Sequence, residues 1–261
     1  MKKTLIALLV LAALQANAQE DDSHDIEKVT VSGRQVSLVG EAISASQGIV
    51  GQEEIRLRPI LRTGEILEFI PGMVVTQHSG TGKANQYFLR GFNLDHGTDF
   101  ATFVDGMPVN MRTHGHGQGY TDLNFVIPES VQSLNYKKGV YYADISDFSG
   151  AGSAMLNTTN SASTPLVSAT VGKNNFLRIV GLGGVTINDT NRVVLAGEHN
   201  TYDGPWSDIS EDLDKTNVLA KWVNKQDKAE FSLTFMGYDN SWNSADQIPK
   251  RAIESGLIDE L

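Results

Sequence analysis

The sequence of 261 residues predicts an exported protein in which a small mixed α+β domain precedes a series of antiparallel β-strands. Three observations support this prediction. The chain begins with a leader-like segment, residues 51–160 mix helical and strand patterns between glycine-rich turns, and apolar residues recur at every second position after Pro165. The last pattern fits both a soluble β-sandwich and a membrane β-barrel, so the choice depends on the connections between strands.

Residues 1–18 have the three parts of a secretory signal peptide. Two lysines precede an apolar run from Leu5 to Leu14, and Ala16-Asn17-Ala18 forms a small-x-small cleavage site. A membrane-spanning helix needs about 20 apolar residues, and this run has 10. We therefore predict that the protein is exported and cleaved after Ala18.

The composition excludes several classes of function. The formal net charge of −10 lacks the positive surface that nucleic-acid binding requires. The absence of cysteine excludes disulfides, thiolate metal sites and cysteine nucleophiles. After residue 18 no apolar segment reaches the length of a spanning helix, so any membrane contact must come from β-structure or from the surface.

Residues 19–50 are expected to form an exposed N-terminal arm, because they begin with an acidic segment of no periodicity. Residues 51–160 follow as a compact α+β domain. A short helical turn should end at Pro59, and a second helix, capped by the Thr63 side chain, should end at Pro71-Gly72. The predicted strands of this domain are residues 73–76, 87–90, 100–104 and 131–136, with a hairpin turn at 105–106.

Residues 161–261 contain about five predicted strands, at 166–172, 176–187, 192–201, 217–224 and 229–238. Tight polar turns at 188–191 and 225–228 alternate with a long acidic loop from Tyr202 to Thr216. Long connections on one side and tight turns on the other are typical of outer-membrane barrels. The connections therefore favour a membrane barrel over a soluble sandwich.

Four motifs occur in a fixed order along the first half of the mature chain. They are Glu27-Lys28-Val29-Thr30-Val31-Ser32, Gly64 to Met73 (GEILEFIPGM), Phe88-Leu89-Arg90-Gly91-Phe92, and Phe103 to Val109 (FVDGMPV). Their order and spacing resemble the N-terminal part of a TonB-dependent outer-membrane receptor. The resemblance marks residues 27–32 as a TonB box, 51–160 as the plug domain and 161–261 as the first strands of a transmembrane antiparallel β-barrel.

The resemblance also implies a mechanism and partners. The plug would close the barrel, a small ligand would bind at the outer face, and the box would add as a strand to the TonB protein of the inner-membrane energising complex. The protein would lie in the cell outer membrane in contact with lipid, with no nucleic-acid partner, no cofactor and no catalytic residue. Such receptors have about 22 strands. Because this chain has about five and lacks a terminal aromatic strand, we expect a fragment or a truncated gene product.

The stretch from Met107 to Tyr120 contains His114 and His116 within a glycine-rich segment. A catalytic metal site would need a third ligand, for which His96 and Asp99 are candidates, but no His-Glu-x-x-His helix is present. The alternatives are a polar loop and a loop that contacts ligand. We expect no metal site, and for the two histidines the polar loop is the favoured alternative. The candidates for ligand contact are Arg112, His114 and His116, together with Trp206 and Trp242 in outward loops.

Four residues are expected to have structural roles in the plug: Arg90, Gly91, Asp105 and Gly106. The Arg90 guanidinium is expected to pair with a carboxylate of the plug or of the barrel wall. Trp222, near a strand end, is expected to lie at the membrane interface.

Three function classes follow from these patterns. The first is energy-coupled uptake of a scarce nutrient, with siderophore–iron or another metal complex as the leading substrate, and cobalamin, free metal and saccharide also open. The second is a non-transporting adhesin or passive barrel. The third is a secreted metal-dependent hydrolase.

Overall fold

The computed structural model describes residues 40–145, 147–206 and 209–259. The predicted signal peptide and the predicted box at residues 27–32 lie outside the described residues. Within those residues, no helix is both long enough and apolar enough to cross a membrane.

Residues 40–158, called the inner domain here, form two sheets and three short helices. A mixed sheet has the strand order β1-β2-β8-β9-β6-β7, in which β6 and β9 run parallel, and a smaller sheet has the order β3-β4-β5. The elements are β1 (Gly40–Ser44), β2 (Gln47–Gly51), α1 (Gln52–Leu57), a 3₁₀ helix (Thr63–Phe69), β3 (Met73–Thr76), β4 (Gln86–Leu89), β5 (Phe92–Asn93), β6 (Phe100–Val104), β7 (Met107–Pro108), a second 3₁₀ helix (Pro128–Ser130), β8 (Val131–Lys138) and β9 (Gly152–Thr158).

The helix expected after Pro59 is present, but the expected Thr63 cap is wrong. Residues Thr63–Phe69 form a 3₁₀ helix, and the residue before it, Arg62, binds Glu65 instead. The Arg62 Nε and Nη2 atoms donate to Glu65 Oε1 at 2.8 and 2.5 Å. This pairing stabilises the first turn without a hydroxyl cap, and it leaves Thr63 free to be buried in the domain.

A continuous apolar core lies between the sheets and the 3₁₀ helix. Ile66, Leu67 and Ile70 of the 3₁₀ helix region are all fully buried, together with Leu134 and Leu156. Burying one such side chain stabilises the fold by roughly 1.5–3 kcal/mol.

Two hairpins of the inner domain have the same tight turn. Arg90-Gly91 joins β4 to β5 with φ angles of 54° and 80°, and Asp105-Gly106 joins β6 to β7 with 48° and 83°. Two successive left-handed residues match the right-handed twist of the flanking strands. The hairpin turn predicted at Asp105-Gly106 is thereby confirmed.

The rest of the chain forms a five-stranded antiparallel meander, called the wall sheet here, followed by the short helix α2 (Lys250–Glu254). Its strands are β10 (Leu166–Val171), β11 (Leu177–Thr186), β12 (Asn191–Tyr202), β13 (Leu213–Lys225) and β14 (Glu230–Ser241). All five expected strands are present. β13 begins at Leu213, so the last residues of the expected acidic loop belong to the strand.

The wall sheet buries polar residues on one face and exposes apolar residues on the other. Facing the inner domain are the buried side chains of Arg178, Glu198, Lys215, Asn217 and Lys221. On the opposite face Leu195, Leu233 and Phe235 are 57%, 70% and 63% exposed. The apolar residues Leu219 and Val223 of β13 are also buried on the inner-domain side.

Buried ion pairs join the wall sheet to the inner domain. Arg178 donates through Nη1 and Nη2 to both carboxylate oxygens of Glu129, at 2.5 and 2.8 Å, and through Nε to Glu198 at 3.0 Å. Lys221 Nζ donates to Asp105 Oδ2 at 3.1 Å. The turn residue Asp105 therefore also anchors its domain to the wall.

Candidate ligand-binding site

A cavity of about 750 Å³ lies where the inner domain meets the end of the wall sheet that carries the longer connections. One side is the inner-domain loop Gln77–Thr81, and the other includes the β10–β11 connection and residues of the β12–β13 loop. The volume is in the range of sites for small molecules and cofactors.

Glu211 connects the two sides of this cavity. Its side chain is 1% exposed, and Oε2 accepts hydrogen bonds from the Thr81 backbone N–H at 2.8 Å and the Thr81 hydroxyl at 2.5 Å. Its other oxygen, Oε1, accepts a hydrogen bond from Trp206 Nε1 at 3.0 Å. One buried carboxylate thus fixes the β12–β13 loop against the inner-domain loop.

The two predicted tryptophan contacts occupy different positions. Trp206 lines the cavity and is 54% exposed, so its ring can contact a bound molecule. Trp242 packs over Gly80 and Gly82; an added Cβ would overlap its ring at Gly82 and would crowd it at Gly80. Trp242 therefore holds the inner-domain loop, whereas Trp206 faces the cavity.

Behind the cavity lies a group of four histidines, called the histidine cluster here: His78, His96, His114 and His116. His78 lines the cavity, and its ring centroid is 5.0 Å from that of His96. The His96 and His116 centroids are 4.5 Å apart, and the His114 ring stacks on Tyr120 at 3.9 Å. The cluster and the cavity are therefore continuous through His78.

Three side chains of this region are placed so that they could hold one metal ion: Asp95, His96 and His116. Asp95 Oδ1 lies 3.8 Å from the Nε2 atoms of both imidazoles, and all three ligand atoms lie within 4.8 Å of one another. His96 is buried, whereas Asp95 is half-buried and His116 is open to solvent.

The orientation of His96 is fixed by the backbone. Its Nδ1 lies 3.0 Å from the Asn85 carbonyl oxygen, which makes Nδ1 the protonated nitrogen and leaves the Nε2 lone pair free. Burial lowers the pKa of this imidazole, against the smaller opposing effect of the Asn85 carbonyl. Lowering the pKa favours the neutral ring, which is the form that binds metal.

The remaining predicted residues have other surroundings. Arg112 is exposed and pairs with Asp147 at 2.8 Å. Arg90 is exposed, and no ion pair joins it to a carboxylate of the described residues, so its pairing with a barrel-wall carboxylate stays a prediction. The β4–β5 turn places Arg90 at the hairpin tip, where its backbone N–H donates to the Gly72 carbonyl at 2.7 Å.

The sequence predicted only part of this site. His96 does lie beside His116 as a candidate ligand, but the carboxylate next to them is that of Asp95 and not that of the candidate Asp99. The positions of His78 and Glu211 were not predicted. The adjacent Asp95-His96 pair was a usable signal, since both residues offer metal ligands. No local pattern places Glu211 beside Thr81, which is 130 residues away.

Residues 40–153 match the family model of the TonB-dependent receptor plug domain. Residues 40–153 are therefore a plug domain of the TonB-dependent receptor type. The inner domain corresponds to this plug, and the wall sheet corresponds to the barrel strands that follow it.

Solved structures of other TonB-dependent receptors have the same fold at low sequence identity. The copper transporter OprC superposes with a TM-score of 0.62 at 16% identity, over 82% of this chain and 33% of that one. The siderophore receptor PirA from Acinetobacter baumannii gives 0.54 at 19% identity, over 75% and 32%. A double mutant of the Serratia marcescens hemophore receptor HasR, in complex with its hemophore and heme, gives 0.57 at 18% identity, over 76% and 32%.

The chain spans about a third of the length of these receptors. At such identities the likeness establishes the fold. It confirms the predicted fold class, an α+β plug domain followed by the first strands of an antiparallel barrel.

Proposed function

We propose that the full-length receptor takes up a metal complex across the outer membrane by TonB-dependent transport. The observation that carries this proposal is the cavity between the inner-domain loop Gln77–Thr81 and the wall loops, with the histidine cluster behind it. Longer connections of such barrels are extracellular, so the cavity would open to the outside. A ligand there would touch both the plug and the barrel.

The residues that line the cavity suit a small ligand with polar and aromatic parts. Trp206 and Tyr202 offer ring surfaces, and Lys173 and His78 offer a cation and an imidazole. Of the predicted ligand contacts, Trp206 lines the cavity, and His114 and His116 belong to the adjoining histidine cluster. Related receptors whose structures are known include a copper transporter and a siderophore receptor, which is in keeping with a metal-containing ligand.

Energy for release would come from the TonB protein, which would pair with residues Glu27 to Ser32 as an added β-strand. The predicted signal peptide would bring the chain to the cell outer membrane. Transport changes no covalent bond of the ligand, so the receptor would need no catalytic residue.

The test is accumulation of radiolabelled iron-siderophore, zinc and copper by cells that carry the full-length receptor, with or without a functional TonB protein. We expect at least one of these metals to accumulate only when both proteins are present. Accumulation that is equal without TonB would indicate a passive barrel. Failure of every source to accumulate would contradict metal uptake.

A further inference from the structure

We propose that Asp95, His96 and His116 form a binding site for one divalent first-row transition metal ion, presented to the outside of the plug. This inference deepens the proposed function, on which it rests for the meaning of the bound ion as transported cargo. In this proposal the protein binds the metal ion directly, and not only through an organic chelator.

His96 supplies the main argument. Its side chain is 1% exposed, and its Nε2 atom has no hydrogen-bond partner among the described residues. A buried polar atom without a partner destabilises the fold, and a bound metal ion would supply the missing partner. The free Nε2 atom lies 3.8 Å from Asp95 Oδ1, and the same oxygen lies 3.8 Å from His116 Nε2.

The second coordination layer is already in place. The Nδ1–H of His96 donates to the Asn85 carbonyl, the arrangement by which metal-binding imidazoles are usually oriented. The His96 carbonyl accepts the Thr121 N–H at 2.7 Å, which fixes the backbone on the other side. The ring therefore has one defined orientation before any ion binds.

Binding one ion requires the three ligand atoms to move closer together. Ligand atoms bonded at about 2.1 Å to a tetrahedral ion lie about 3.4 Å apart. The two distances to Asp95 Oδ1 are 3.8 Å, so each must shorten by less than half an ångström. The two imidazole Nε2 atoms lie within 4.8 Å of each other and must approach by up to about 1.4 Å. Asp95 and His116 are both partly exposed, and rotation of their side chains can supply these movements.

The set of ligand atoms selects the kind of ion. Two imidazole nitrogens and one carboxylate oxygen suit Zn²⁺, Ni²⁺ or Cu²⁺, whereas Mg²⁺ and Ca²⁺ prefer oxygen ligands alone. Three ligands leave coordination positions open, and His78 lies between this site and the cavity. An ion held here could therefore also be bound by a small chelator in the cavity.

The experiment is a titration of the purified full-length receptor in detergent with Zn²⁺, measured by competition with a chromophoric chelator. We expect one high-affinity Zn²⁺ per chain. Asp95→Asn and His116→Ala should each weaken binding by at least about tenfold, because each removes a direct ligand. Both positions are partly exposed, so these variants should assemble normally, unlike a substitution of buried His96.

His199→Ala is the matched control, since His199 lies on β12 outside the cluster and contacts the Thr216 hydroxyl at 3.1 Å. It should leave the zinc affinity unchanged. The proposal is overturned if the wild-type receptor binds no Zn²⁺, if both site variants bind as well as wild type, or if His199→Ala causes an equal loss.

Failure of this inference and failure of the proposed function give different results. A receptor that binds no Zn²⁺ but accumulates iron-siderophore with TonB is an uptake receptor without this metal site. A receptor that binds Zn²⁺ at the site but accumulates no metal with TonB keeps the site and loses the proposed function.

Discussion

The inner domain buries its large apolar residues at its centre, whereas the wall sheet exposes many of its own on its outer face. In the inner domain Ile66 and Leu67 are completely buried at the centre of the domain. In the wall sheet Leu233 and Phe235 are mostly exposed, and Glu198 and Lys221 are buried. The chain thus changes near Pro165 from a domain with an apolar interior to a sheet with an apolar outer face.

This difference indicates which solvent surrounds each region. An inner domain with an apolar core folds by removing that surface from water. The outer face of the wall sheet is apolar, and its inner face carries buried charges beside a small apolar cluster. An apolar outer face matches a barrel wall, in which hydrocarbon replaces water on the outside. The inner face then serves as the contact surface for the inner domain, in part through ion pairs such as Arg178–Glu129.

The largest expected effect comes from breaking that contact. Arg178→Ala leaves Glu198 and Glu129 without their shared partner, and losing one member of a buried ion pair typically costs about 3–5 kcal/mol. We expect a loss of this size in the free energy of unfolding, measured by denaturant titration of the detergent-solubilised receptor.

Arg192→Ala provides the control for this prediction. Arg192 is half-buried on the neighbouring strand β12 and makes no ion pair with a described residue. Its replacement should change the free energy of unfolding little. Equal losses for the two arginines would show that the plug–wall ion pairs are not what holds the domain.

A charge on the outer face tests the other half of the comparison. Leu195→Arg places a cation near the middle of β12 on the exposed apolar face, which should cost about 2–4 kcal/mol in a bilayer. Val185→Arg, on the same face near the end of β11, should cost about 0–1 kcal/mol.

The measurement for this pair is the free energy of unfolding in lipid vesicles. A dependence on depth supports a lipid-facing wall. If Leu195→Arg stayed within about 0.5 kcal/mol of wild type, the usual size of a water-exposed surface change, the face would be in contact with water.

A smaller effect is expected at the outer contact between the two regions. Gly82→Ala would overlap the Trp242 ring, and the ring must move. Overpacking of this kind typically costs about 1–3 kcal/mol. Gly115→Ala, which has open space around the added Cβ, should stay within about 0.5 kcal/mol. The measurement is the thermal unfolding temperature of both variants, followed by tryptophan fluorescence. Equal unfolding temperatures for the two variants would contradict the packing role of Trp242.

The sequence predicted much of this fold because its strongest signals are local. Period-two alternation located all five wall strands, and the Asp105-Gly106 pair located a hairpin. Local signals were insufficient where tertiary contacts determine which side chain makes an interaction. Arg62 displaced Thr63 as the residue that binds the first helical turn, since its guanidinium reaches Glu65.

The site was less predictable, because its members come from distant parts of the chain. His96 and His116 are brought together by the folding of the loop between β7 and β8 onto the turn at Asp95. Nothing in the spacing of these residues distinguishes Asp95 from Asp99 as the third ligand. The fold class, a plug domain followed by barrel strands, followed from the sequence, whereas the placement of Asp95 beside His96 and His116 required the structure.

The central claim is that the protein is an energy-coupled receptor, and substitutions within the predicted TonB box test it most directly. Val31→Pro removes a backbone N–H donor from the predicted added strand, whereas Val31→Ala retains it. The measurement is radiolabelled metal bound at the cell surface and accumulated inside the same cells, for the metal that the wild-type receptor transports. We predict equal surface binding in all three receptors and loss of accumulation in Val31→Pro alone. Accumulation by Val31→Pro at the wild-type level would contradict the account.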